Sequence, residues 1–126
     1  MADVRTLVDT RRGEIVCSRC VVAQNPLRRL KGLLGRASLP HGEGLLLRPT
    51  PAVHTSFMRF PIDVVFLDED FVVIDAVDAL RPWRAAGRRG ARAVLELAAG
   101  ERMRRGVRPG DRLALVPAAD GGAVGS

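Results

Sequence analysis

The sequence predicts a mainly β domain of the α+β kind: a small, mostly antiparallel curled sheet or barrel with one or two short helices. Three observations lead there. Runs of five to nine residues rich in Val, Ile and Leu recur along the chain, bounded by Gly, Pro and Asp. These runs do not alternate with helical patterns of crossover length, which argues against a doubly wound parallel sheet. Only two stretches carry a helical pattern, and both are short.

Taken in order, the first ten or so residues read as a short edge strand, and Gly13 to Ala23 (GEIVCSRCVVA) as a second strand. The pattern then changes period. Leu27, Leu30 and Leu34 share one helical face, with Asn25 as N-cap, Pro26 in the first turn and Gly35 as the terminator. The stretch that follows, punctuated by Pro40, Gly42, Gly44, Pro49 and Pro51, reads as loop except for GLLL. Two strong strands, FPIDVVFL and FVVIDAV, flank the acidic turn Asp68 to Asp70. A basic loop around Pro82 and Trp83 leads to the strand AVLEL, then to one or two helical turns in GERMRRG. Arg108-Pro-Gly-Asp111 has the residues of a type II turn ahead of the last strand, RLALV. One domain is expected over residues 1–117, with 118–126 a disordered tail.

The 126 residues are enough for one domain with its own core. The formal net charge is +6, Lys31 is the only lysine, and aromatic residues make up 4% with no Tyr. A core of Val, Leu, Ile and Ala is implied. The basic balance alone admits nucleic acid, but the near-exclusive use of Arg reads as a compositional bias, and nucleic-acid binding is not expected. No run approaches the ~18 apolar residues of a membrane span, and the first residues carry charges throughout. A cytoplasmic monomer is expected, with Cys17 and Cys20 as thiols.

Two acids stand out. Asp63 interrupts a strand that is otherwise apolar on both faces, and Glu96 does the same in AVLEL. A buried carboxylate needs a counter-charge or several hydrogen-bond donors, because an unpaired one costs several kcal/mol. Arg36 and Arg59 are the nearby guanidinium groups whose forked geometry suits a carboxylate.

Other motifs carry less. Cys17-Ser-Arg-Cys20 lies within a strand, where residues three apart should face opposite ways, and four ligands for a structural metal are not at hand. His54 with Thr55 or Ser56 offers a base beside a hydroxyl, but no nucleophile elbow is present. The glycines do not form a phosphate-cradling loop, and no cofactor is expected. Trp83, among Arg81, Arg84, Arg88 and Arg89, is expected to cover a barrel edge while the arginines stay solvated.

The ordered motifs KGLLGR, GEGLLL, VHTSFMRFPIDVVFLD, VLELAAG and GVRPGD resemble domain of unknown function 192 across about residues 23–116. The resemblance implies a compact, mainly β fold and no established activity. It marks Gly32, Leu33, Gly35, Arg36, Gly44, His54, Thr55, Met58 to Asp63, Leu95, Glu96, Gly100, Gly110 and Asp111 as signature positions. Many relatives carry a Trp-Met-Lys-Asn-Thr type of segment where this chain has His-Thr, so His54 is a branch feature.

These readings converge on a binding or accessory module. Arg36, His54, Thr55, Arg59, Asp63 and Glu96 are expected to line one polar cleft for an anionic or hydroxyl-rich small ligand, or for a peptide of a protein partner. The alternatives are a hydrolase with His54 as general base and a basic nucleic-acid binder.

Overall fold

The structure, a computed structural model, describes residues 3–24, 39–40 and 42–118. Nine strands and one helix occur among them: β1 (Asp3–Asp9), β2 (Ile15–Ala23), β3 (Glu43–Leu47), β4 (Ala52–His54), β5 (Ile62–Leu67), β6 (Val73–Leu80), β7 (Ala85–Gly87), β8 (Ala93–Ala98), α1 (Glu101–Arg104) and β9 (Leu113–Pro117). The predicted helix around Leu27 to Leu34, and the tail beyond Ala118, lie outside the described residues.

Seven strands form one sheet in the order β6-β5-β8-β3-β2-β1-β9. Every neighbouring pair is antiparallel except β2 with β3. The expected mostly antiparallel, mainly β architecture is therefore present. The first strand is not an edge, however: β9 returns from the far end of the chain and pairs along it from Arg5 to Asp9. The two edges of the sheet approach each other at one corner, where Val72 bridges Arg112 and Val73 N–H donates to Asp111 O at 2.8 Å. The sheet curls without closing. Gly110, at φ +94°, supplies the left-handed turn of Arg108-Pro-Gly-Asp111 that allows this approach, as the turn residues predicted.

A strand covered on both faces must be apolar throughout, and β5 is buried at all six positions. Its alternate residues enter two cores. Val65 and Leu67 join Leu7, Cys17, Cys20, Leu46, Leu95, Leu97, Val107 and Leu113 inside the curl. Ile62, Val64 and Phe66 join Leu45, Leu47, Val53, Met58, Phe60 and Val94 on the outer face. Each fully buried aliphatic or Phe side chain contributes about 1.5–3 kcal/mol by leaving water.

The outer core is covered in part by a feature the sequence did not reveal. β4 and β7 form a separate two-stranded ribbon pairing Ala52 with Gly87, Val53 with Ala86 and His54 with Ala85. Three residues are too few to show a period, and both strands sit in stretches read as loop. Gly87 is required there, since a Cβ would come within 2.8 Å of the Ala52 Cβ.

Two bulges set which side chains face inward. Arg5 to Leu7 of β1 spans Cys20 to Cys17 of β2, two steps against three. The extra residue reverses the alternation, so Cys17 and Cys20 enter the same core instead of opposite faces. The hydrogen bond that the Cys20 thiol donates to the neighbouring Cys17 sulfur, together with burial, pushes the Cys20 thiol well above its ordinary range. In the same way, Ile62 to Val64 of β5 spans Leu80 to Val77 of β6, which leaves a bulge beside Ala79. Among the described residues, no helix is long and apolar enough to cross a membrane.

Candidate functional site

Asp63 is buried, as its setting requires, but guanidinium groups do not hold it. Its Oδ1 accepts from Ala79 N–H at 2.8 Å and its Oδ2 from Arg102 N–H at 2.9 Å. The first donor is at the β6 bulge, where Ala79 has φ +50°. The second is an amide in the first turn of α1, which has no partner within the helix. One carboxylate thus ties the end of β6 to the start of α1, with two charge-assisted hydrogen bonds.

Register places the second acid elsewhere. Asp63 lies opposite Leu97, while Glu96 lies opposite Val64 and Leu45. Residues facing each other across a ladder point to the same side of a sheet. Asp63 therefore faces the inner core and Glu96 the outer one, so the expected single cleft containing both acids does not form. Glu96 is fully buried. Arg36 lies outside the described residues.

Thr55 is also fully buried. Its hydroxyl donates to Arg81 O at 2.5 Å, with Arg84 O at 3.2 Å, and accepts from Arg84 N–H at 2.9 Å. Its backbone N–H donates to Arg84 O at 2.8 Å, and its carbonyl accepts from Trp83 N–H at 3.0 Å and Met58 N–H at 3.2 Å. This junction locks the loop after β4 to the loop before β7. It also commits the hydroxyl to main-chain partners, which argues against Thr55 as a nucleophile activated by His54.

His54 and Arg59 are exposed. Around them lies what the sequence reading missed. Phe57 and Trp83 are 62% and 59% exposed, and their rings pack edge to face with centroids 4.6 Å apart at 60°. Trp83 therefore does not cover a barrel edge. Both residues have positive φ, +68° and +64°, a conformation that bulky side chains rarely adopt. A signal was available in Ser-Phe-Met-Arg-Phe. Met58 and Phe60 turn inward, which leaves Phe57 and Arg59 on the opposite side.

A depression of about 420 Å³ lies elsewhere, beside the β5–β6 turn, lined by Arg48, Asp68, Glu69, Phe71 and Arg92 among others. None of the expected site residues line it. Among the described residues, no group of three or more His, Cys, Asp or Glu side chains is placed to hold a metal ion.

The fold and motif together match a known family. The model for DUF192, an uncharacterized group, matches residues 7–115. The chain belongs to the DUF192 family. A UPF0127 protein of Thermococcus sibiricus is 29% identical over 99 residues, which is 75% of this chain and 64% of that protein's length. Two solved structures share the fold at 25% identity. A protein of unknown function from Novosphingobium aromaticivorans has a TM-score of 0.73, covering 90% of this chain and 84% of that one. A Sinorhizobium meliloti protein, provisionally described as a transcription regulator, has a TM-score of 0.75, covering 91% of this chain and 94% of that one. The DUF192 signature in this chain thus contains two kinds of residue: Thr55 and Asp63, which bond main chain, and His54 and Arg59, which face solvent.

Proposed function

We propose that this chain is a binding or accessory module whose contact face is the corner around Phe57 and Trp83. The reading rests on one observation, the exposed aromatic pair held at two positive-φ positions. Such an arrangement costs free energy twice, in apolar surface left in water and in backbone strain of order 1–3 kcal/mol per residue. The core does not need it, because Met58 and Phe60 of the same segment already supply the buried side chains. Strain that persists at the surface is a mark of a functional element.

In this reading His54 and Arg59 contact the ligand, while Thr55 and Asp63 position the loops that carry them. Glu96 supports the outer face of β8, and Arg36 remains a member of the proposed site from its sequence position. An anionic or hydroxyl-rich small ligand, or a peptide of a partner, suits a corner that combines aromatic rings with exposed arginines. A nucleic-acid ligand is the second reading. The net charge of +6 and the description of the Sinorhizobium neighbour favour it.

Trp83 is the only tryptophan and the chain has no tyrosine, so red-edge excitation reports this corner alone. Titration with inorganic phosphate, a sulfated oligosaccharide, an acidic peptide and an oligonucleotide should give a saturable change in Trp83 emission with at least one probe. A flat response to every class would overturn the reading.

A further inference from the structure

We infer that the occupant of the Phe57–Trp83 corner is an acidic peptide segment that carries an apolar side chain, an inference that rests on the binding role proposed above. Four observations favour this chemistry. The first is the distribution of ion pairs. Arg12 pairs with Asp9 at 3.0 Å, Arg88 with Asp75 at 2.6 Å and Arg102 with Asp78 at 2.5 Å. Among the described residues, no carboxylate lies within ion-pair distance of Arg59, Arg81 or Arg84, which flank the two aromatics in sequence. The acids on the adjoining strand β6 are already committed, so the positive charge of the corner is open to an outside carboxylate.

The second observation is ring geometry. In an edge-to-face pair at 60° the two exposed rings pack on each other and together offer apolar surface that an aliphatic side chain can cover. Successive stacked bases would instead need open, separately presented ring faces. The third is rigidity. The hydrogen bonds of Thr55 fix both loops before any ligand arrives, which lowers the ordering cost of association. The fourth is composition, since Trp, Phe and Arg at the centre of an exposed patch are what protein contact sites concentrate.

The test uses the full chain and three probes: a short peptide alternating glutamate with leucine, its glutamine analogue, and oligothymidylate. Trp83 emission and the anisotropy of labelled probes give the affinities. The glutamate peptide should bind saturably. Its affinity should fall by about tenfold or more for the glutamine analogue and for the Arg81→Glu/Arg84→Glu variant, and should weaken with added salt. Both substitutions replace exposed side chains, and circular dichroism checks that the variant is folded. Equal binding of the glutamine analogue, or undiminished binding by the variant, would overturn the inference. So would tighter binding of oligothymidylate. A Trp83 signal that depends only on protein concentration and is lost in Glu69→Lys/Asp70→Lys would assign the corner to a second copy of this chain. In those last two cases the binding role of the corner survives; silence of Trp83 toward every probe removes both.

Discussion

The α1 end of the sheet and the Phe57–Trp83 corner are built from similar residues arranged to opposite effect. At the α1 end, charge is cancelled. Asp63 takes two backbone amides, Arg102 donates to both oxygens of Asp78 and to Val107 O, and Arg12 joins Asp9, Gly106 O and Asp111. Arg102 holds Asp78 below the usual carboxylate range, and Asp78 in turn raises Arg102. At the corner, Thr55 bonds the main chain and Arg84 Nη1 donates to Trp83 O at 3.2 Å, while Arg59, Arg81, Arg84 and both rings are exposed and the three arginines have no carboxylate partner among the described residues. A polar cluster that satisfies itself stabilises the fold. One that leaves its charges and apolar surface unsatisfied is available to a partner.

Substitution should separate these two regions in order of size. Asp63→Ala strips the acceptor from two buried amides at once, so a loss of about 3 kcal/mol or more in urea unfolding is expected. A loss below about 1 kcal/mol would mean that the carboxylate is not the tie between β6 and α1. Thr55→Val keeps the shape but orphans the main-chain groups of residues 81 and 84. It should cost about 2 kcal/mol and should also shift Trp83 emission, because the loop that carries the ring loosens. Stability loss without any change in emission would uncouple the junction from the aromatic pair.

The third test uses pH at Asp9. Burial raises this carboxyl, but the Arg12 N–H, the Arg12 guanidinium and the Arg11 N–H outweigh it, and the net displacement is downward. With a lowered folded-state pKa, the unfolded chain takes up its proton first as pH falls. The contribution of Asp9 is therefore full above about pH 4 and is lost as pH drops through the folded-state value. The gap in melting temperature between wild type and Asp9→Asn should be constant near neutrality and close at acid pH; a gap that persists unchanged in acid would contradict the ion pair. The smallest effect belongs to the corner. Phe57→Gly relieves a positive φ while giving up an exposed ring contact, so stability should stay within about 0.5 kcal/mol of wild type. A large destabilisation would make the pair structural.

Much of this is legible in the sequence. β5 and β8 are apolar at nearly every position, and only a strand covered on both sides tolerates that. The need of Asp63 for donors followed from burial alone. The donors themselves were not legible, because backbone amides carry no sequence label and the two that serve it come from residues 16 and 39 positions away. β4 and β7 were missed because a ribbon of three-residue strands exists only through its pairing. The orientation of Cys17 and Cys20 was misread because one inserted residue inverts the parity of a strand.

By itself the sequence determined that apolar strands had to curl around a shared core and that its interrupting acids could not remain unsatisfied there. Periodicity and desolvation are local properties, so they can be read along the chain. Tertiary structure alone decided that Asp63 and Glu96 part to opposite faces and that Phe57 meets Trp83 at the surface. Both outcomes depend on register and loop closure between segments distant in sequence, where a shift of a single residue turns a side chain from one face to the other.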